Sequence, residues 1–200
     1  MKFRFAPFLL ALLLVIGAPA AAEGDPAAPI HLLCDSLIEV MKRGKELGFE
    51  GRETRLKPVV SSVYDMAALT KNTLGVAGNK LTPDEAVQLA EAYNRFSIAT
   101  YADQFAVWEG EHFEIEAPRS LPNGGTVVPS FIIGGDGSRT AIDYVMHETP
   151  SGWRIIDVLF QGAVSQVAVR RSEFLPIYRQ NGVAALIAML DGKAQALAKR

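Results

Sequence analysis

Residues 96–117 read FSIATYADQFAVWEGEHFEIEA, and within them the apolar period changes from helical to alternating. Up to Trp108, the residues Phe96, Tyr101, Phe105 and Trp108 extend one helical stripe; beyond Gly110, Phe113 and Ile115 alternate with polar neighbours, as on a strand. A chain that switches from helix to strand once, and back once, keeps its strands together. That blocked order predicts an α+β fold.

Upstream of the switch the stripe continues through Leu89 and Tyr93 to Thr82-Pro83-Asp84-Glu85. This sequence supplies an N-cap hydroxyl, a proline at the first helical position and a glutamate three residues after the cap, which together predict a capping box. Asp65 is read as the cap of a short helix reaching Leu74, with Gly75 ending it. A helix over 51–64 buries Leu56, Val59, Val60 and Val63. Another, over 30–47, buries Ile30, Leu33, Cys34, Leu37, Ile38 and Met41 and stops at Gly48.

Downstream, alternating segments at 112–117, 127–134, 139–148 and 153–160 are separated by Asn123-Gly124-Gly125, Asp136-Gly137 and Ser151-Gly152. Short turns of this chemistry join neighbouring antiparallel strands, so about four strands are expected in a curved meander with one face available to helices. Helical periodicity returns over 166–179 and 183–197, punctuated by Gly182.

The N-terminus carries Lys2 and Arg4, an apolar run from Phe8 to Ala18, and Ala20-Ala21-Ala22. A positive start, a short apolar core and small residues at the end form a cleavable secretory signal over 1–22, and the apolar run is too short to span a bilayer. Residues 23–29, with Pro26 and Pro29, read as a flexible lead-in, and 30–200 as a single domain. Removing the signal leaves 18 basic residues against 22 acidic ones, a balance that does not favour nucleic acid. The single cysteine, Cys34, has no internal disulfide partner and sits among apolar residues at helical spacing, so it reads as a buried packing group.

The usual chemical motifs do not occur. His31, His112 and His147 make no metal-binding spacing, and there is no nucleophile elbow, P-loop or dinucleotide fingerprint. Gly134-Gly135-Asp136-Gly137 lies between two strands and reads as a hairpin turn. Asp143 and Asp157 fall on neighbouring strands, and Arg170-Arg171 reads as a solvated pair or an anion site. What the chain has in surplus is aromatic and aliphatic side chains, which fill an ordinary core or line an apolar cavity.

An ordered set of segments resembles a known family. It comprises Gly48-Phe49-Glu50-Gly51-Arg52, Leu56-Lys57-Pro58-Val59-Val60, Tyr64-Asp65, Phe96 to Ala102 with Phe105, Gly110-Glu111-His112-Phe113, and Asp143-Tyr144. Gly152 to Val158, Gly162 and Arg170-Arg171-Ser172-Glu173-Phe174 follow. Together they resemble the periplasmic phospholipid carriers of the Mla pathway, the MlaC or toluene-tolerance family, and most of all its hopanoid-associated HpnM branch. Tyr64 stands where phenylalanine is common in that family.

The resemblance implies an NTF2-like sheet wrapped with helices around a pocket for acyl chains, without cofactor, metal or catalytic residue. It implies a periplasmic shuttle carrying phospholipid or hopanoid between an outer-membrane lipoprotein complex and an inner-membrane ABC transporter with an MCE-domain partner. The residues expected to line the pocket are Phe113, Ile115, Ile142, Tyr144 and Met146 on strands, with Tyr101 and Phe105 from the long helix. An NTF2-like enzyme with an acid–base pair in its cavity, and an interaction protein with a filled core, are the competing readings.

Overall fold

The computed structural model of the protein describes residues 24–122 and 125–199. The expected signal at 1–22 and the Asn123-Gly124 part of the predicted turn lie outside these residues. Helix α1, Ala28–Lys42, begins inside the stretch read as a lead-in, because the Asp25 carboxylate accepts the Ala27 N–H at 2.9 Å and Pro29 sits in the first turn. Proline is tolerated there because the first-turn amides have no helical partner.

The helix expected to continue to residue 47 ends at Lys42, and α2, Gly44–Val63, starts after a break at Arg43. Gly44 explains the break: a Cβ there would lie 1.8 Å from the Ala106 carbonyl oxygen, so the backbone passes where only glycine fits. Gly48, with φ 59°, then kinks α2 near its start.

Helix α3, Met66–Leu74, is capped as expected, the Asp65 carboxylate accepting the Ala68 N–H at 2.8 Å. A 3-10 turn over Gly75–Lys80 leads to α4, Pro83–Gln104, whose capping box is complete: Thr82 Oγ1 accepts from Glu85 N–H and the Glu85 carboxylate accepts from Thr82 N–H. Helix α4 stops at Gln104, four residues short of the predicted stripe's end. Trp108 is therefore off the stripe and exposed, its indole N–H donating to the Glu111 carbonyl at 2.9 Å.

The strands are β1 His112–Ile115, β2 Arg119–Ser120, β3 Thr126–Val128, β4 Ser130–Ile133, β5 Arg139–Thr149, β6 Gly152–Phe160 and β7 Val164–Ser165. All pairings are antiparallel. Strands β3 and β4 run along β5 in one register, Val128 opposite Tyr144 and Phe131 opposite Ala141, interrupted only at Pro129. Strands β1 and β2 lie along β4 and β3 with Pro118 between them, but here the register slips by one: Ile115 faces Ser130 and Arg119 faces Val127, so three residues of one row span two of the other. A proline offers no N–H to a ladder, so each breaks its row. The seven pieces thus form the expected four-row meander, with β7 added beside β6.

A bulge sits in β6. Val145 faces Asp157 while Met146 faces Ile155, which leaves Ile156 as an extra residue and puts Trp153 and Ile155 on the same face as Val158 and Phe160. Helix α5, Gln166–Leu197, closes the chain with a kink at Gly182, φ 79°, where a stop between two helical segments was expected. The core joins Leu33 and Leu37 of α1, Leu56 and Val60 of α2, Leu89 of α4, Leu186 and Leu190 of α5, and Tyr144, Met146 and Ile155 of the sheet. Burying each large apolar side chain contributes about 1.5–3 kcal/mol, so this shared interior is what holds helices and sheet together.

Candidate functional site

Strand register decides which side chains share a face, since directly paired residues point the same way and positions two apart repeat it. Phe113 pairs with Ile132 and Ile132 with Thr140; Tyr144 pairs with Val128 and Val158; Ile142 pairs with Phe160, and Phe160 with Val164. Phe113, Ile115, Ile142, Tyr144 and Met146 therefore lie on one face of the sheet. Tyr144 and Met146 belong to the core, so this is the face turned toward the helices.

Burial along that face is uneven. Met146 is sealed and Tyr144 is 2% exposed, whereas Phe160 and Val164, in the row of Ile142, are 44% and 46% exposed. Phe113, Ile115 and Ile142 are half-buried and pack against the core. The helices thus roof one end of an apolar trough and leave the other end open.

Tyr101 and Phe105 reach this face from the end of α4. Their rings stand 5.7 Å apart, and Phe105 stands 6.4 Å from Phe113, so three of the expected lining residues form one aromatic row. The row has a fourth member that the sequence did not single out as lining. Tyr64, the C-cap of α2, lies 6.3 Å from Tyr101 and bridges by its backbone to Ile155 of β6. Its sequence signal was the adjoining Tyr64-Asp65 pair, which reads first as a helix boundary.

The polar groups of the trough are neutral phenols. Burial pushes the Tyr101 phenol up to about 12 and those of Tyr64 and Tyr144 well above their ordinary value. Burial, helped by the Asp35 charge, raises the Cys34 thiol to about 12, so the thiol also stays protonated.

Several carboxylates and cations outside the trough have structural partners. Asp157 accepts from Ser165 Oγ at 2.5 Å, from its neighbour Val158 N–H at 2.8 Å and from Val167 N–H at 3.0 Å, tying β6 to the start of α5. Asp143 lies 3.7 Å from Arg119, and His147 Nε2 lies 2.9 Å from the Asp65 carboxylate. Arg171 donates to the Asn72 and Thr73 carbonyls in the last turn of α3, and Arg170 pairs with Glu173 at 3.2 Å while covering the Phe96 ring. Among the described residues no cluster of three or more His, Cys, Asp or Glu could hold a metal ion. Two surface cavities, of about 500 and 320 Å³, are lined by none of the seven expected residues.

Fold and face together define a class: an α+β protein whose curved antiparallel sheet presents an apolar, helix-roofed face suited to binding an apolar ligand. The family model described as MlaC protein matches residues 33–192, and the chain belongs to the MlaC family. Among solved structures it is similar to the phospholipid-binding protein of Ralstonia solanacearum, determined in complex with a phospholipid. The two are 20% identical, with a TM-score of 0.73 over 88% of this chain and 99% of that one, which shows a shared fold. Among curated proteins none matches.

Proposed function

We propose that this protein is a periplasmic lipid carrier that shields the acyl chains of a phospholipid, or a hopanoid, as it crosses water between two membranes. The observation that carries the reading is the half-roofed apolar face, where Phe113, Ile115 and Ile142 stay half-buried beside the Tyr64–Tyr101–Phe105–Phe113 row. Shielding a methylene from water is worth roughly 0.8 kcal/mol, so a face of this kind holds a chain by area, without charge or covalent chemistry. Membership of the MlaC family and the phospholipid bound by the Ralstonia protein support the same ligand class. In this reading the carrier exchanges lipid with an outer-membrane lipoprotein complex and with an inner-membrane ABC transporter bearing an MCE domain.

Solvent extraction of the purified protein, followed by mass spectrometry, tests the proposal and separates phospholipid from hopanoid by mass. The expected result is lipid at a fixed ratio to protein, and lipid uptake from vesicles after delipidation. Repeated recovery without lipid, together with no uptake, would sink it.

A further inference from the structure

We propose that the β6–β7 hairpin, at the open end of the trough, is a membrane-contact tip that seats the mouth on an anionic lipid bilayer while lipid enters or leaves. The inference rests on the carrier reading and names the surface at which that carrier loads.

Residues 158–169 read VLFQGAVSQVAV and carry no charge. Gln161 and Gly162, with φ of 53° and 70°, make the tight turn between β6 and β7, and residues 161–164 all stand exposed. Phe160 and Val164 pair across the hairpin at 44% and 46% exposure, and Val169, in the first turn of α5, is 42% exposed. The end of the trough therefore carries an uncharged, apolar projection that nothing in the fold covers. Such a tip gains by leaving water for the head-group and acyl boundary of a bilayer.

Its backbone is equipped for that setting. Away from water an N–H without an acceptor is costly, so a segment entering a bilayer must satisfy its own donors. Gln161 N–H donates to the Ala141 carbonyl at 2.8 Å, and the Gly162 and Ala163 N–H groups donate to the Leu159 and Phe160 carbonyls at 3.3 Å. In the first turn of α5, the Val167 and Ala168 N–H groups donate to the Asp157 carboxylate and to Ser165 Oγ, each at 3.0 Å. These donors need nothing from water.

Charge and area favour a bilayer over a protein partner. Arg170, next after the uncharged stretch, is paired with Glu173, but Arg171 donates only to backbone carbonyls and has no carboxylate partner among the described residues. It keeps a positive charge behind the tip, at the level of anionic head groups. A stable protein interface takes about 800 Å² from each partner, more than three half-exposed side chains provide. A mouth seated on the bilayer also lets an acyl chain pass from hydrocarbon to trough without crossing water.

Two forms of lipid separate docking from binding. Dihexanoyl phosphatidylglycerol dissolves as single molecules and reaches the trough without a membrane, whereas dioleoyl phosphatidylglycerol is presented in vesicles. The Ala163→Asp/Val169→Asp variant puts charge on the tip at two positions off the sheet face. Its uptake of lipid from vesicles is expected to fall about tenfold or more, while its affinity for the soluble lipid stays within about twofold. Wild-type protein already loaded with lipid is expected to show slower hydrogen exchange at residues 160–169 when the vesicles are added, a measurement that needs no variant to fold. Unchanged vesicle uptake by the variant, or no slowing in the wild type, overturns the membrane contact and leaves the hairpin to a partner protein. An equal loss with both lipids overturns it as well, by placing the effect in the trough. If the wild type binds neither lipid, the carrier reading fails and this inference with it.

Discussion

Arg52 Nε donates to the Ala102 carbonyl at 2.8 Å, and its Nη1 donates to the Gly44 carbonyl at 3.0 Å, from a side chain only 9% exposed. One guanidinium thus ties the last turn of α4, where the helix leaves the Ala102 carbonyl unsatisfied, to the first residue of α2. Ala102 follows Tyr101 directly and precedes Phe105 by three residues, so the same contact fixes where two members of the aromatic row stand. Arg52→Met removes both hydrogen bonds and leaves the Ala102 carbonyl without this donor, and should cost about 3 kcal/mol in urea unfolding, with Arg52→Lys costing less. A loss below about 0.5 kcal/mol would show that the contact is incidental.

Gly44 meets Ala106 at the same junction. Gly44→Ala puts a methyl 1.8 Å from a carbonyl oxygen, and backbone rather than a flexible side chain must move. Destabilisation of about 2 kcal/mol or more is expected, although alanine is otherwise the better helix former by about 1 kcal/mol. A variant as stable as wild type in thermal unfolding would contradict the close approach.

Asp157 is expected to matter to the fold rather than to ligand chemistry. Asp157→Ala removes the acceptor of the Val167 N–H and the Ser165 hydroxyl, loosening the first turn of α5. A loss of about 1–3 kcal/mol should appear in denaturant unfolding. Hydrogen exchange should quicken first at residues 166–169, and uniform quickening across the chain would argue against a local clasp.

Alkali should destabilise the protein. Burial raises the Cys34 thiol from 9.0 to about 12 and the Tyr93 and Tyr101 phenols from 10.0 to about 12. With folded values above the unfolded ones, the folded state holds more protons, so stability is complete below pH 9 and declines as pH rises toward 12. Urea midpoints measured from pH 8 upward should fall across that window, and Cys34→Ala should remove the earliest part of the fall. A flat profile would refute it.

Opposite faces of β1 give a direct test of the trough. Phe113→Asp places a charge in it and should cut lipid uptake at least tenfold, because desolvating a carboxylate there opposes ligand burial. Glu114 points to the other face, where it meets Arg139 at 3.2 Å, and Glu114→Ala should leave uptake within twofold. Equal effects from both would remove this face from the site.

Much of the architecture was readable from local signals. The Thr82–Glu85 box, the Asp65 cap, the Gly75 stop and the switch of period after Gly110 each depend on residues a few positions apart, and all appear where expected. Two of the misplacements involve residues far apart in the chain or the pairing of strands. Helix α1 ends early because Gly44 meets Ala106, and the two lie on separate elements. The bulge at Ile156 shifts the facing of β6 by one residue, which no alternation in 153–160 announces.

The amino-acid sequence by itself determined the helix–sheet–helix order, the four-row meander, the family resemblance and the alternation within each strand; the register that puts Phe113 and Ile115 on the same face as Ile142, Tyr144 and Met146 came from the paired sheet. The order and the alternation follow from period, capping and turn chemistry, all short-range, whereas the family was legible as a resemblance carried by an ordered set of segments along the chain. Only the tertiary structure decided that Tyr64 joins the aromatic row, that its hydroxyl meets that of Tyr101, and that the trough is sealed at Met146 but open at Phe160. Positions 64 and 101 come together through the packing of α2 on α4 and the sheet, and the relative placement of packed elements is a property of the whole core.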